Sequence, residues 1–136
     1  MADLLALAET EIRKRHVFFV DWYRGTADLS EMDVTAACFA PDFRIIWPSG
    51  GYLERAPLLT ALAKAHNSTG PEFEIRIDID HAVALSDDLC LMTFDEYQET
   101  ANGPNARRGT AVFSRDDKAP NGVVWRHLQE TWLTQE

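Results

Sequence analysis

Residues 73–80 read FEIRIDID, and this strict alternation of apolar and polar side chains decides the fold class. Successive side chains of a β-strand point to opposite faces, so Phe73 and the three isoleucines share one face while their polar neighbours share the other. Such alternation is typical of an antiparallel sheet that is covered on one side. The stretch therefore predicts a strand whose apolar face lies on a core.

Three further long strands are predicted downstream, at residues 89–99, 107–115 and 123–133. Each of these runs carries β-branched and aromatic residues. The segments between the last three, residues 101–105 and a loop that ends in Asn121-Gly122, are made of turn-forming residues. Strands joined by short loops usually pair with their neighbours in sequence, so we expect one antiparallel sheet over residues 73–133.

The first half of the chain predicts three helices and a small hairpin. The first helix begins after Asp3, ends at Gly25, and repeats apolar residues at helical spacing. A short second helix stops before Pro41 because proline disfavours helical backbone at the residue before it. Residues 43–47 and 52–53 pair around the turn at 48–51, and a third helix covers residues 55–66.

Length, charge and composition limit the kinds of function that the protein can have. The chain has 136 residues and a net charge of −9, which predicts one domain over residues 1–136 and disfavours nucleic acid as a partner. Apolar runs are too short to cross a membrane, and the N-terminal residues lack the features of a secretory signal, so we expect a cytoplasmic protein. Cys38 and Cys90 lack metal-ligand spacing, which predicts small core residues and no metal site.

The order of helix, helix, hairpin, helix and four long strands resembles the nuclear transport factor 2-like superfamily. Three local stretches carry the same resemblance: residues 39–43 (FAPDF), residues 51–59 between the hairpin and the third helix, and residues 124–128 (VWRHL) in the last strand. The chain looks most like the bacterial branch of short SnoaL-like proteins within this superfamily.

The resemblance implies an α+β fold, a cone-shaped barrel of a strongly curved, mainly antiparallel sheet with three helices enclosing a pocket. It also implies a protein that binds a small apolar molecule. Such a protein is an isomerase, cyclase or hydratase that acts by acid/base chemistry on an apolar cyclic substrate without a cofactor. The alternative is a non-catalytic module for ligand binding or dimerisation, because this fold hosts both kinds of protein.

The candidate catalytic residues follow from the resemblance and from strand alternation. In limonene epoxide hydrolase-like members the polar cavity residue of the last strand lies two positions after a tryptophan, the place of His127 after Trp125. By the same resemblance Gln129 faces the pocket, and we place Asp95 and Tyr97 on the pocket side of their strand. A register error of one residue would put Glu96 and Gln98 there instead.

Asp95 and His127 are then predicted as proton acceptor and donor, with Tyr97 orienting a substrate oxygen. The competing interpretation is structural: His127 is a hydrogen-bonded wall residue, and Asp95 pairs with a nearby donor. On the partner strand the chain lacks the Arg-x-Asp pattern that limonene epoxide hydrolase-like members use there, which argues against epoxide opening. Aromatic substrate-binding residues are predicted to accompany Gln129 on the pocket wall, namely Trp47, Phe113, Trp125 and Tyr23.

Two further interpretations concern the outside of the sheet. Both faces of the strand at residues 89–94 are apolar and only one can line the interior, so we expect a homodimer through the outer face. Arg108 and Glu130 are predicted to form a cross-strand ion pair on an exposed face.

Overall fold

The computed structural model describes residues 2–133. Its elements in chain order are α1 (Leu4–Arg24), α2 (Glu31–Ala36), β1 (Phe39–Ile46), β2 (Tyr52–Glu54), α3 (Arg55–Lys64), β3 (Glu74–Ala84), β4 (Leu89–Thr100), β5 (Gly103–Arg115) and β6 (Val123–Trp132). This order is the predicted one. No helix within residues 2–133 is long and apolar enough to span a membrane.

The bounds of α1 follow from its capping residues. The Asp3 carboxylate accepts a hydrogen bond from the Leu5 amide, and Gly25 ends the helix with a φ of 82°. Left-handed backbone of this kind costs glycine little, which is why Gly25 suits the position. Both bounds were predicted from the sequence, whereas α3 ends at Lys64, two residues before the predicted end.

The six strands form one curled, unclosed sheet in the order β2-β1-β6-β5-β4-β3. The predicted antiparallel pairing of the four long strands is confirmed. β1 adds to this sheet by pairing in parallel with β6, and β2 forms the hairpin with β1. The α+β fold with its helices in the N-terminal half is therefore as predicted.

The core lies between α1 and the concave face of the sheet. Its largest fully buried apolar side chains include Phe94 of β4, Phe113 of β5 and Ile12 of α1. Cys38 and Cys90 are both buried and free, as expected from their spacing. Large buried apolar area of this kind is the main favourable contribution to folding.

Register shifts in β3 and β6 change which side chains share a face. Val112 of β5 pairs with His127 of β6, but the next residue, Phe113, pairs with Trp125, so β6 carries one extra residue at Arg126. A similar shift in β3 follows Ile79. A bulge interrupts the two-residue alternation of a strand, and side chains on either side of it no longer follow one pattern.

Candidate functional site

A cavity of about 170 Å³ lies between α1, α3 and the concave face of the sheet. Most of its wall is aromatic or aliphatic, and the polar groups gather on β4, β5, β6 and α1. The apolar lining consists of Phe19, Tyr23, Phe39, Phe43, Ile45, Trp47, Leu58, Leu62, Ile75, Trp125 and Leu128. The polar lining consists of His16, Glu96, Gln98, Arg107 and Glu130. Apolar walls with a few convergent polar groups are typical of small-molecule sites.

Three of the predicted substrate-binding residues lie on this wall. Tyr23 projects from α1, Trp47 follows β1, and Trp125 lies on β6. Phe113 is fully buried behind the wall, where its ring centre lies 4.4 Å from that of Trp125.

The prediction that Asp95 and Tyr97 face the cavity is wrong, and the alternative register is the correct one. Asp95 lies on the outer face, where its two carboxylate oxygens accept hydrogen bonds of 2.8 and 3.1 Å from Arg108. Tyr97 shares that face and lies under the guanidinium of Arg76, 4.1 Å from its ring centre. Glu96, between them, is buried on the cavity side.

The prediction for His127 and Gln129 is also wrong, because the bulge at Arg126 reverses the alternation after Trp125. Leu128 lies on the cavity wall in their place, while Gln129 is exposed on the outer face. Asp95 is level with Thr131 two strands away. His127 lies four residues further along β6, so about 13 Å of strand separates the two predicted proton-transfer groups.

His16 and Glu96 form a buried pair on the cavity wall. The His16 Nε2 atom lies 3.0 Å from Glu96 Oε1, and Nδ1 lies 2.7 Å from the Ile12 carbonyl oxygen. Both ring nitrogens lie within hydrogen-bond distance of an oxygen acceptor, an arrangement that favours the doubly protonated, charged ring. Burial opposes that charge, but the Glu96 carboxylate and the hydrogen bonds raise the pKa of His16.

The same contacts keep Glu96 ionised. Burial by itself would raise its pKa, but the charge and hydrogen bond of His16, a hydrogen bond from Gln98 and the charge of Arg107 lower the pKa of Glu96 to about 2. A buried carboxylate with these partners is a poor proton acceptor near neutral pH. Glu96 therefore acts as the counter-ion of His16.

Glu130 is the second carboxyl group of the cavity, and its surroundings differ from those of Glu96. Its side chain is 6% exposed, and its nearest cationic atom is Arg107 Nη1, 3.6 Å from Oε1 and beyond hydrogen-bond distance. Burial and the negative charge of Glu96 raise the pKa of Glu130 to about 7, although Arg107 and His16 oppose the rise. The predicted pair with Arg108 does not form, because Arg108 lies on the opposite face.

Arg107 and Tyr23 complete the polar end of the cavity. Arg107 Nη2 donates a 3.2 Å hydrogen bond to Asn105, and its guanidinium lies 4.8 Å from the ring centre of Trp132. Burial and the nearby charge of Glu96 raise the pKa of Tyr23 to about 12, so its hydroxyl keeps its proton. The cavity thus combines a neutral donor, a cation and a carboxyl group that titrates near pH 7.

A buried network behind the cavity holds Trp125 in place. Glu11 is fully buried and accepts hydrogen bonds from Trp125 Nε1 at 2.7 Å, from Asn121 at 2.9 Å and from Arg15 Nε at 2.9 Å. Arg15 in turn donates to Thr35 at 2.7 Å. Buried charges need such partners, and here the partners fix one wall of the cavity relative to α1.

Sequence reasoning missed the charged groups of α1, although a signal for them was present. His16 lies four residues after Ile12 and three before Phe19, on the stripe that predicted the buried face of the helix. A histidine on that stripe indicates a group that needs a buried partner. No group of three or more His, Cys, Asp or Glu side chains within residues 2–133 is arranged to hold a metal ion.

Comparisons with known proteins give a matching family model and curated relatives. The family model described as sucrose-6-phosphate phosphohydrolase C-terminal matches residues 8–134. Sucrose-phosphatase 1 of Nicotiana tabacum is 27% identical over 130 residues, which cover 90% of this chain and 30% of that protein. Probable sucrose-phosphatase 2 of Arabidopsis thaliana is 26% identical over 125 residues, 90% of this chain and 29% of that protein. The chain thus spans about 30% of the length of these curated relatives.

Solved structures confirm the predicted nuclear transport factor 2-like fold. An NTF2-like protein of unknown function from Pseudomonas aeruginosa has a TM-score of 0.79 and 31% identity, covering 94% of this chain and 99% of that one. A ketosteroid isomerase-like protein from Erwinia carotovora has a TM-score of 0.69 and 13% identity, covering 99% and 100%. The S. rosetta CaMKII hub has a TM-score of 0.68 and 12% identity, covering 98% and 99%. The last two share the fold alone.

Proposed function

The chain belongs to the sucrose-6-phosphate phosphohydrolase C-terminal family, and we propose that its cavity binds a small, mainly apolar cyclic molecule on which Glu130 acts as a proton carrier. The observation that carries this proposal is the state of Glu130, a buried carboxyl group on the cavity wall whose pKa is raised to about 7 and whose nearest partner, Arg107 Nη1, is 3.6 Å from Oε1. A group that titrates near the working pH is suited to both take and return a proton.

The chemistry we propose is an acid/base reaction without a cofactor, such as an isomerisation, cyclisation or hydration. In an isomerisation, the Glu130 carboxylate removes a proton from a carbon next to a carbonyl group, and the resulting acid returns that proton to another carbon of the same molecule. The Tyr23 hydroxyl, which keeps its proton, is placed to donate a hydrogen bond to the substrate oxygen. Donors aimed at developing negative charge lower the barrier of such steps.

In this proposal Glu130 and Tyr23, on the cavity side, take the proton-transfer and substrate-orienting roles predicted for Asp95, His127 and Tyr97. Asp95 is already paired with Arg108 and lies on the other side of the sheet from the cavity. Trp47 and Trp125 keep their proposed role as substrate-binding walls. The narrower assignment to the SnoaL-like branch, and a cytoplasmic location, stay predictions.

Proton removal from carbon can be tested without knowing the natural substrate. The protein is incubated in D₂O with a panel of small cyclic ketones, and deuterium incorporation next to the carbonyl is followed by NMR. We expect enzyme-dependent incorporation that falls by roughly a hundredfold or more in Glu130→Gln, whereas the exposed control Glu99→Gln keeps the wild-type rate. Equal rates in wild type and Glu130→Gln would contradict the role of Glu130.

A second candidate function is self-association through the outer face of the sheet. Leu91 and Val112 are cross-strand partners on that face and are partly exposed, and one structural neighbour is a CaMKII hub. We propose that two copies pack through this surface, since water contact with an apolar sheet face is unfavourable. Light scattering should give the mass of a dimer that Val112→Lys converts to a monomer, while a monomeric wild type at high micromolar concentration would refute the dimer.

A further inference from the structure

One buried donor on the cavity wall has no acceptor. Among residues 2–133, three buried side-chain polar atoms lack a hydrogen-bond partner, namely Thr69 Oγ1, Arg107 Nε and Arg115 Nε. Only Arg107 belongs to the cavity wall. Arg115 Nε also has the Asp88 carboxylate 3.4 Å away, whereas the nearest carboxylate to Arg107 within residues 2–133 is that of Glu130, 3.6 Å from Nη1. A buried N–H without an acceptor is costly, so the protein's own groups leave the hydrogen-bonding capacity of Arg107 partly unused.

The rest of the Arg107 guanidinium is held in place by protein groups. Asn105 accepts from Nη2, and the ring of Trp132 lies against the guanidinium plane. The Oε1 atom of Glu130 lies 3.6 Å from Nη1 of Arg107. The side chain is 16% exposed, so little water is available to replace the missing partner. The guanidinium is therefore fixed in orientation. Its Nε atom is enclosed by the protein, so a ligand in the cavity reaches Arg107 through the exposed part of its side chain.

The charges around the cavity leave one positive charge without a full partner. His16 and Glu96 are a hydrogen-bonded ion pair and cancel. Tyr23 is neutral, so the balance depends on Arg107 and Glu130. When Glu130 carries its proton, the positive charge of Arg107 is uncompensated in a mostly apolar cavity, and a single negative charge on a ligand would neutralise it.

We propose that the ligand of this cavity carries a carboxylate that accepts a hydrogen bond from the guanidinium of Arg107, and that Glu130 takes up a proton when the ligand binds. The ligand class is a small aromatic or alicyclic monocarboxylic acid. This inference rests on the proposed function of the cavity and names the ligand chemistry that the cavity recognises; a bound carboxylate holds Glu130 in its protonated form, so with such a ligand Glu130 enters the reaction as the acid.

Shape and charge both favour that class. A carboxylate matches the planar edge of a guanidinium and forms short, charge-assisted hydrogen bonds with it. The wall opposite is aromatic and aliphatic, with Phe43, Ile45, Trp47 and Leu58 among its residues. A volume of about 170 Å³ suits a molecule with one ring. A phosphate dianion would exceed the single positive charge and meet Glu96 and Glu130 uncompensated.

Proton uptake follows from the groups that face Glu130. These are Glu96 on β4, Arg107 on β5, and His16 and Tyr23 on α1. A ligand carboxylate on Arg107 weakens the attraction that keeps Glu130 ionised and adds a second negative charge beside it. A solvent proton then binds to Glu130, whose O–H can donate to the ligand carboxylate. Above the pKa of free Glu130, which is about 7, binding should take up close to one proton.

Isothermal titration calorimetry with matched pairs of probes tests the ligand class on the wild-type protein. Cyclohexanecarboxylate and benzoate are compared with cyclohexanecarboxamide and benzamide, which have the same shape and no charge. We expect the acids to bind roughly tenfold to a hundredfold tighter than the amides at pH 6. Affinity for the acids should fall about tenfold for each pH unit above 7, and buffers of different ionisation enthalpy should report the proton uptake.

Variants assign the effect to the two residues. Arg107→Gln should lose the preference for acids, Arg107→Lys should lose part of it, and Arg108→Gln on the outer face should bind as wild type. Glu130→Gln should still bind the acids, with an affinity that no longer changes between pH 6 and pH 8. Circular dichroism and the unfolding midpoint establish that each variant is folded before it is titrated.

The outcomes separate this inference from the proposed function. Amides that bind as tightly as acids, or an Arg107→Gln variant that keeps the preference, would overturn the carboxylate site while leaving Glu130-dependent exchange in ketones intact. Acids that bind without proton uptake at pH 8 would overturn the part played by Glu130. Loss of ketone exchange with carboxylate binding retained would instead remove the proposed reaction and keep the ligand class.

Discussion

Replacing Glu130 by glutamine should make the protein more stable above neutral pH and leave its stability nearly unchanged in mild acid. Burial and the charge of Glu96 raise the pKa of Glu130 from 4.5 to about 7 in the folded state. A carboxyl group whose folded pKa is raised binds its proton more tightly when folded. Its favourable contribution is therefore complete below the unfolded pKa and is lost as the pH rises through the folded pKa.

The magnitude follows from the two pKa values. The difference between 4.5 and about 7 corresponds to about 3 kcal/mol of folding free energy that wild type loses between pH 4 and pH 8. The side chain is 6% exposed, so solvent screening reduces this figure little. Glutamine keeps the shape of the side chain but loses the charge attraction to Arg107. The gain in free energy of unfolding at pH 8 is therefore at most about 3 kcal/mol, and we expect about 1 kcal/mol.

Urea unfolding at pH 4.5 and pH 8 measures the effect directly. We expect Glu130→Gln to raise the free energy of unfolding at pH 8 and to match wild type at pH 4.5, while Glu99→Gln follows wild type at both. A variant that is less stable than wild type at pH 8 would refute the reasoning. So would a gain of the same size at both pH values, because a pH-independent gain cannot come from ionisation.

Three further substitutions test the surroundings of the cavity. Glu11→Gln removes the fully buried carboxylate and should cost about 3–5 kcal/mol in urea unfolding, with a change in the near-ultraviolet circular dichroism of Trp125. Gly109→Ala places a Cβ atom 3.2 Å from Phe94 and should cost about 1–3 kcal/mol, measured by the same unfolding curves. Asp95→Asn should leave ligand affinity and deuterium exchange at wild-type values, since its carboxylate is on the outer face.

The sheet and its order were predictable because strand alternation is local information. In β3, Ile75, Ile77 and Ile79 alternate with charged residues, and one face is unambiguous. Helix bounds were predictable for α1 for a similar reason, since Asp3 and Gly25 act through their own backbone neighbours. These features need no knowledge of the rest of the chain.

The face assignment of β4 and β6 was not predictable from alternation alone. Residues 89–94 are apolar at almost every position, so either set of side chains could be the buried one. After that stretch Asp95 and Glu96 are chemically similar, and composition does not choose between them. In β6 the bulge at Arg126 moves His127 to the face opposite Trp125, a change that depends on pairing with β5.

The acid/base character of the cavity arises from positions that only the sheet order brings together. His16 comes from α1, Glu96 from β4 and Glu130 from β6, with Arg107 on the strand between the two carboxyl groups. The His16 Nε2 atom lies 3.0 Å from Glu96, whose pKa is lowered to about 2, whereas Glu130 has Arg107 Nη1 at 3.6 Å and a pKa raised to about 7. Two carboxyl groups whose environments push their pKa values apart can divide their roles, one as a fixed charge and the other as the proton carrier.

The pKa values of the two carboxyl groups are coupled. Because His16 keeps Glu96 ionised, the charge of Glu96 in turn keeps the pKa of Glu130 in the range where Glu130 can exchange a proton. Replacing His16 should therefore raise the pKa of Glu96, and while Glu96 stays ionised it should raise that of Glu130 as well, because the charge of His16 lowers the pKa of both carboxyl groups.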